Sequence, residues 1–389
     1  WLAVRHAAQS ARKPAIDDIS PVVATRRAGP PPAGRVVPPS PGNPAPSPAG
    51  KGMEVCGIGH VDVDPADPSA VDKYLEDLSK DAFTRWQAAM VASDDSGVRA
   101  VGLYTRLWHE DGAEEVYDAG SLAALILLAE DSHDPFVYGV AYEACAKGDP
   151  TLRDPLCQPI SAAGWARADP DNAVPWLALA DQQEKGGDQD AATAALVRAG
   201  DAKRIESPGL SLYSVASRAL AGSVRPLESM QLAVHMIGIE AATPVQSLGV
   251  SRLCLKPRVL DDRRRAACAR LADLFAGKTN TLLEISVADK LGVAAGWPQQ
   301  RLDEFRKSRD ALWGASLAAS AAINHMSSLD CQSLESITAF LGKRAQLGEL
   351  GTARDYLGHS GKTVDEMARQ YRDEQAEQRR RLESLRNQD

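Results

Sequence analysis

Aromatic residues are scarce, at 5% of the chain, and histidine occurs only 7 times in 389 residues. The histidines (His6, His60, His109, His133, His235, His325 and His359) stand apart, with no two placed three or four residues from each other. A zinc site built on one helix face is therefore not expected, and no cofactor is expected either. His109-Glu110 lacks the second histidine of a zinc-protease helix, because position 113 is Ala113. No C-x-x-C pair occurs, which disfavours zinc-ribbon and thioredoxin-type chemistry, and no G-x-S-x-G nucleophile elbow occurs. Basic residues are not in excess. Lys and Arg number 44 against 52 Asp and Glu, a net charge of -8, whereas a nucleic-acid partner calls for a basic surface. No run of 18 apolar residues exists, so the sequence contains no membrane-spanning helix. Trp1-Leu2-Ala3-Val4 fit the tail of a preceding signal or anchor helix, or an arbitrary start. Arg5, Arg12 and Lys13 weigh against an anchor, since basic residues beside a span favour the cytoplasmic side. A membrane link is expected only through such an anchor.

What is abundant is Ala and Leu, a mixture that suits helices packed closely through small side chains more than a β-sandwich. Residues 1–50 are the exception. Nine prolines fall between Pro30 and Pro48, and six basic residues face two acidic ones over the whole segment. Proline fixes φ and removes donors, so a disordered, extended linker is expected there. Residues 51–64 have β character at Val55, Val61 and Val63, broken by Gly57 and Gly59.

From about residue 69 the pattern is helix after helix, with short connections rich in Gly, Pro, Asp and Ser. Ser69 is expected to cap a helix to about Ala92, with Val71, Leu75, Leu78 and Trp86 on one face. Asp95 or Ser96 caps the next, through Trp108. Further helices are predicted near 119–131, 135–147, 155–168, 172–185, 188–202, 209–221, 226–241, 244–254, 261–276, 279–293, 297–319, 330–347 and 349–357. Alternating strand patterns are almost absent, so no sheet is expected. Residues 51–358 read as one helical domain, and 359–389 as a charged helix solvated on its faces. Arg263-Arg264-Arg265 reads as a solvated face behind the capping pair Asp261-Asp262. Trp297 before Pro298 reads as a staple or core residue at a helix start.

The phosphate-loop reading of 358–363 fails. Tyr356 stands where that loop needs glycine, and a helix precedes it instead of a strand. A glycine helix stop followed by a new helix is the expectation.

Six cysteines permit complete pairing. Cys145 and Cys157 are 12 apart and Cys254 and Cys268 are 14 apart, so each pair could staple a local hairpin, worth about 3 kcal/mol from loop closure. Cys56 and Cys331 are left as a third disulfide, inert buried thiols or a free nucleophile. Disulfides point to a periplasmic or other extracytoplasmic setting, whereas six buried thiols would mean a cytoplasmic one.

The strongest local pattern lies at 170–199: Pro170, Trp176, Leu179, Ala180, Gly187-Asp188, Ala192, Leu196 and Ala199. These residues resemble a tetratricopeptide repeat. Large Trp176 and Leu179 wedge one helix against its neighbours, small Ala180 and Ala192 let paired helices cross closely, and Gly187 permits the turn. On that reading Trp176→Ala costs about 3–5 kcal/mol, as a buried aromatic truncation. Sliding back 34 residues places Tyr142, Cys145 and Ala146 at the equivalent positions of a degenerate copy over 139–172; the likeness as a whole spans about 139–205. The resemblance puts Cys145 on the first helix of that copy and Cys157 at the start of the second, where a bridge is geometrically plausible. The layout as a whole is similar to bacterial proteins of uncharacterised role. The implied fold is all-α, an array of antiparallel helical hairpins of tetratricopeptide-like solenoid type after a disordered proline-rich segment. The implied function is a non-enzymatic protein- or peptide-binding or scaffolding module. The alternative is an enzyme whose site is assembled from scattered residues of the helical domain.

Overall fold

The computed structural model describes residues 52–386 apart from 65, 112–113, 148–154, 221–224, 243–248, 256–260 and 325–329. The proline-rich segment expected to be disordered, residues 1–50, lies outside them.

The fold is all-α. Four pairs of consecutive helices pack on each other: Pro68–Val91 with Ser96–Arg106, Ala119–Ser132 with Pro135–Lys147, Ala173–Lys185 with Gln189–Gly200, and Asp262–Lys278 with Leu282–Ala294. Carboxylate and hydroxyl caps set most of the starts. Asp95, Asp118, Asn172, Asp188, Asp261 and Thr281 each accept a backbone N–H in the first turn. The first helix begins at Pro68 and not at a Ser69 cap, because Asp67 takes that role. Its Oδ1 accepts the N–H of Ser69 at 3.0 Å and of Ala70 at 3.4 Å. Pro68, with no N–H to satisfy, fills the first helical position.

Two short β-hairpins depart from the expectation of no sheet. Met53–Val55 pairs with Gly59–Val61, and Trp108–Asp111 pairs with Glu114–Tyr117, both antiparallel. The second overturns the helix predicted through Trp108. The helix ends at Arg106, and His109-Glu110 lies on a strand. Leu107 is fully buried at the junction, and its carbonyl accepts the N–H of Asp118, closing the excursion.

The chain does not run as a straight stack. Pro226–Ala242 turns back onto Pro68–Val91 and also meets the long C-terminal helical element Cys331–His359. The latter is two helices joined at Gly348, where φ is 71° and ψ is -179°. Only glycine enters that region without steric cost. The interruption falls between the two segments predicted there, and it exposes the Leu350 N–H to the carbonyl of Asn280 at 3.1 Å.

Gln299–Asn324 and Val364–Arg386 pack along each other. The terminal helix is more than a solvated rod. Met367 and Ala368 are fully buried, Tyr371 stacks on Trp313, and Arg372 reaches buried Asp310 at 3.2 Å. Its start is a capping box, with Thr363 and Glu366 exchanging side-chain to backbone bonds at 2.8 and 3.2 Å. Gly361, in the left-handed region, ends the helix before it.

The core falls into three clusters of buried side chains among the described residues. Small residues fill the helix crossings: Ala173, Ala180, Ala192, Ala199, Ala267, Ala272 and Ala288 are all fully buried. None of the described helices is long and apolar enough to cross a membrane.

Candidate functional site

All six cysteines are paired, as Cys56–Cys331, Cys145–Cys157 and Cys254–Cys268. Cys145 lies on Pro135–Lys147, but Cys157 lies in the turn ahead of Ser161, not on the following helix, which starts at Ala162. Pro159 and the Ser161 cap delay that start. The Cys56–Cys331 bond ties the first β-hairpin to the start of the C-terminal element, across 275 residues.

The repeat-like residues divide in two. Ala180, Ala192, Leu196 and Ala199 are fully buried between Ala173–Lys185 and its partner helix. Tyr142, Trp176 and Leu179 are half-buried and pack on the cluster's edge. Trp176 bonds back through Nε1 to the carbonyl of Pro170 at 3.0 Å, and the fully buried side chain beside it is Leu177. The fully buried tryptophan nearby is Trp165, 0% exposed, against which Tyr142 packs with ring centroids 5.1 Å apart. Composition alone could not separate Trp165 from Trp176, since both sit in Ala-rich helices.

Arg264 is a correction of another kind. Arg263 and Arg265 are exposed, but Arg264 is buried and faces the preceding hairpin. Its guanidinium donates to Glu184 at 2.9 Å, to Thr193 Oγ1 at 2.6 Å and to the Gln189 carbonyl at 3.1 Å. This buried ion pair, with Nε and Nη2 both donating, locks one hairpin to the next. Trp297 is buried, with Phe305 edge-on and the Arg301 guanidinium over its ring at 3.7 Å.

A cleft of about 630 Å³ is lined by residues of Pro226–Ala242, Leu282–Ala294 and Cys331–His359. Its floor is polar. Glu284 is buried, accepts the hydroxyls of Thr279 at 2.5 Å and Thr281 at 3.0 Å, and faces Ser207 at 3.5 Å. Glu349 accepts the Leu282 N–H at 2.9 Å and lies 4.0 Å from Arg344. Glu240 accepts the Tyr213 N–H at 2.7 Å. Burial raises the Glu240 carboxyl to about 7, although the Tyr213 N–H and Arg344 pull it down; Glu349 adds to the rise. Tyr213 is raised to about 12, by burial first and by Glu240 second. The rim is apolar: Leu347 is 45% exposed and Leu283 is 36% exposed.

No residue of this cleft stood out in the sequence. One signal was there to find. Glu240 is a lone late acid in the apolar run Met-Gln-Leu-Ala-Val-His-Met-Ile-Gly-Ile-Glu, and an acid in such a run is buried or functional. Glu143 carries the same signal in Pro135–Lys147. It is 1% exposed, and neither carboxyl oxygen makes a regular hydrogen bond among the described residues. Burial raises it to about 8, with the Gly209 N–H and Lys147 acting in the opposite direction. No group of three His, Cys, Asp or Glu side chains is placed to hold a metal among the described residues. No protein-family model, curated protein sequence or solved structure matches the chain.

Proposed function

We propose that this chain is a protein- or peptide-binding module of helical-repeat type that works outside the cytoplasm, with the cleft as its docking surface. The observation that carries the reading is the cleft mouth. Leu283 and Leu347 are two large apolar side chains left exposed where they line one concave, polar-floored opening. Apolar surface around a few fixed polar groups is the usual make-up of a recognition site. The Ala-lined hairpins at 139–205 support a degenerate tetratricopeptide-like array, a family of folds that holds peptides on its inner surface. Three disulfides support an oxidising compartment.

The test is a photo-reactive amino acid placed at position 347, with a second at exposed position 130 on Ala119–Ser132 as the control. A discrete protein or peptide adduct from 347 alone is the expected result. Equal labelling from both positions, or none from 347, overturns the reading.

A second reading, an enzyme, is favoured by one observation. A carboxyl held near 7 beside a tyrosine and an arginine has the proton affinity a general acid–base needs. Its mark would be turnover of a bound compound that Glu240→Gln abolishes without loss of binding.

A further inference from the structure

Resting on the docking reading, we infer that the cleft takes a lysine or arginine side chain of its partner, flanked by apolar residues. The first support is charge. Glu240, Glu284 and Glu349 come from three different helical elements to one floor, and Arg344 is the one basic residue among the described residues that line it. Glu284 is engaged by three hydroxyls. Arg344 is shared between Glu349, at 4.0 Å, and Glu240, whose carboxyl it also influences. One cation thus stands against two incompletely neutralised carboxylates in a half-buried setting.

The second support is the bonding position left open at Glu240. One oxygen accepts the Tyr213 N–H, and the other makes no hydrogen bond among the described residues while the residue lines the cleft. An ammonium or guanidinium group supplies the missing donor and the missing positive charge together. A neutral hydroxyl or amide supplies a donor but no charge, and an anion would face the Glu240–Glu349 pair directly.

The third support is the wall. Trp313 lines the opening, with its Nε1 donating to Ser286 Oγ at 3.2 Å. An indole beside carboxylates favours a cation further. The exposed Leu283 and Leu347 match the apolar neighbours of such a side chain, and about 630 Å³ admits one or two side chains, not a folded domain.

Binding carries a proton signature. The groups facing Glu240 are Tyr213, Arg344 and Glu349. A cation seated there lowers the carboxyl's proton affinity, so affinity should rise with pH as Glu240 ionises near 7.

The test uses the full chain and three labelled short peptides, alternating Leu/Lys, Leu/Gln and Leu/Glu, read by fluorescence anisotropy. The Leu/Lys peptide should bind at least about tenfold tighter than Leu/Gln. Glu240→Gln should remove most of that preference, Leu347→Ser should weaken all binding, and Glu130→Gln should change nothing. Circular dichroism of each variant confirms that it is folded. Leu/Gln binding as tightly as Leu/Lys in a Leu347-dependent manner overturns the cation assignment and leaves the docking reading standing. A lysine preference untouched by Glu240→Gln overturns it too, since it would be the general attraction of a chain of net charge -8. Binding that ignores Leu347→Ser removes the docking reading itself.

Discussion

At the scale of single residues, burial decides what each group does. Trp165 and Trp176 stand in neighbouring helices, but Trp165 is enclosed and Trp176 is half-buried. Trp165→Ala should cost about 3–5 kcal/mol, and Trp176→Ala clearly less, in equilibrium denaturation. Equal costs would contradict the packing described. Glu143 and Glu240 give a pH dependence. In the unfolded chain both titrate near 4.5; in the fold they hold their protons to about 8 and about 7. A folded value raised above the unfolded one gives stability that is complete below the unfolded value and is lost as pH climbs through the folded one. Lys147, buried and lowered to about 8 from 10.5, imposes a penalty that is relieved only above pH 8. The melting temperature should therefore fall between about pH 5 and pH 8. Glu143→Gln should flatten the fall and raise the midpoint at pH 8. A midpoint that rises steadily from pH 5 to pH 8 would contradict the burial of these acids.

At the scale of elements, helix existence was legible because helix ends announce themselves chemically. Asp, Asn, Ser and Thr stood at the starts, and Gly or Pro at the stops. The pattern across Gly348 separated two helices where the backbone does break. What was not legible depended on contacts distant in sequence. Arg264 is one of three consecutive arginines, and only the neighbouring hairpin, about 80 residues earlier in the chain, makes it the buried one. The strand at Trp108–Asp111 has no alternating run, being held by pairing with Glu114–Tyr117. Arg264→Ala removes the buried guanidinium that joins Glu184, Thr193 and Gln189 and should cost several kcal/mol (about 3–5), whereas Arg263→Ala should be nearly neutral, as denaturant melts would show. Gly348→Ala should cost about 1–3 kcal/mol, because no other residue adopts that backbone without strain. It should also weaken cleft binding, since Glu349 and Leu347 flank the break. An unaffected melt would mean the helix runs through position 348 unbroken.

At the scale of the whole molecule, the fold class was legible and the closure was not. Helical periodicity and the wealth of alanine imply stacked hairpins. They do not say that Pro226–Ala242 returns to the first helix, or that Cys56 meets Cys331. The local cysteine pairs could be read from their spacing, but the third bond depends on the course of the whole chain. The cleft follows from the same return, since it is lined by Pro226–Ala242 together with two later elements, and so its residues lie far apart in sequence. A bond closing a loop of that length is worth about 5 kcal/mol in the chain-entropy model, more than either local staple. Cys56→Ser with Cys331→Ser should therefore lower the melting temperature more than removing the Cys254–Cys268 pair.

The most direct measurement is a count of free thiols on the denatured, unreduced chain taken from its own cells, with the crosslinked peptides mapped by mass. The account predicts zero free thiols and a peptide joining Cys56 to Cys331. Six free thiols would contradict it, undoing both the Cys56–Cys331 closure and the proposal of an oxidising compartment.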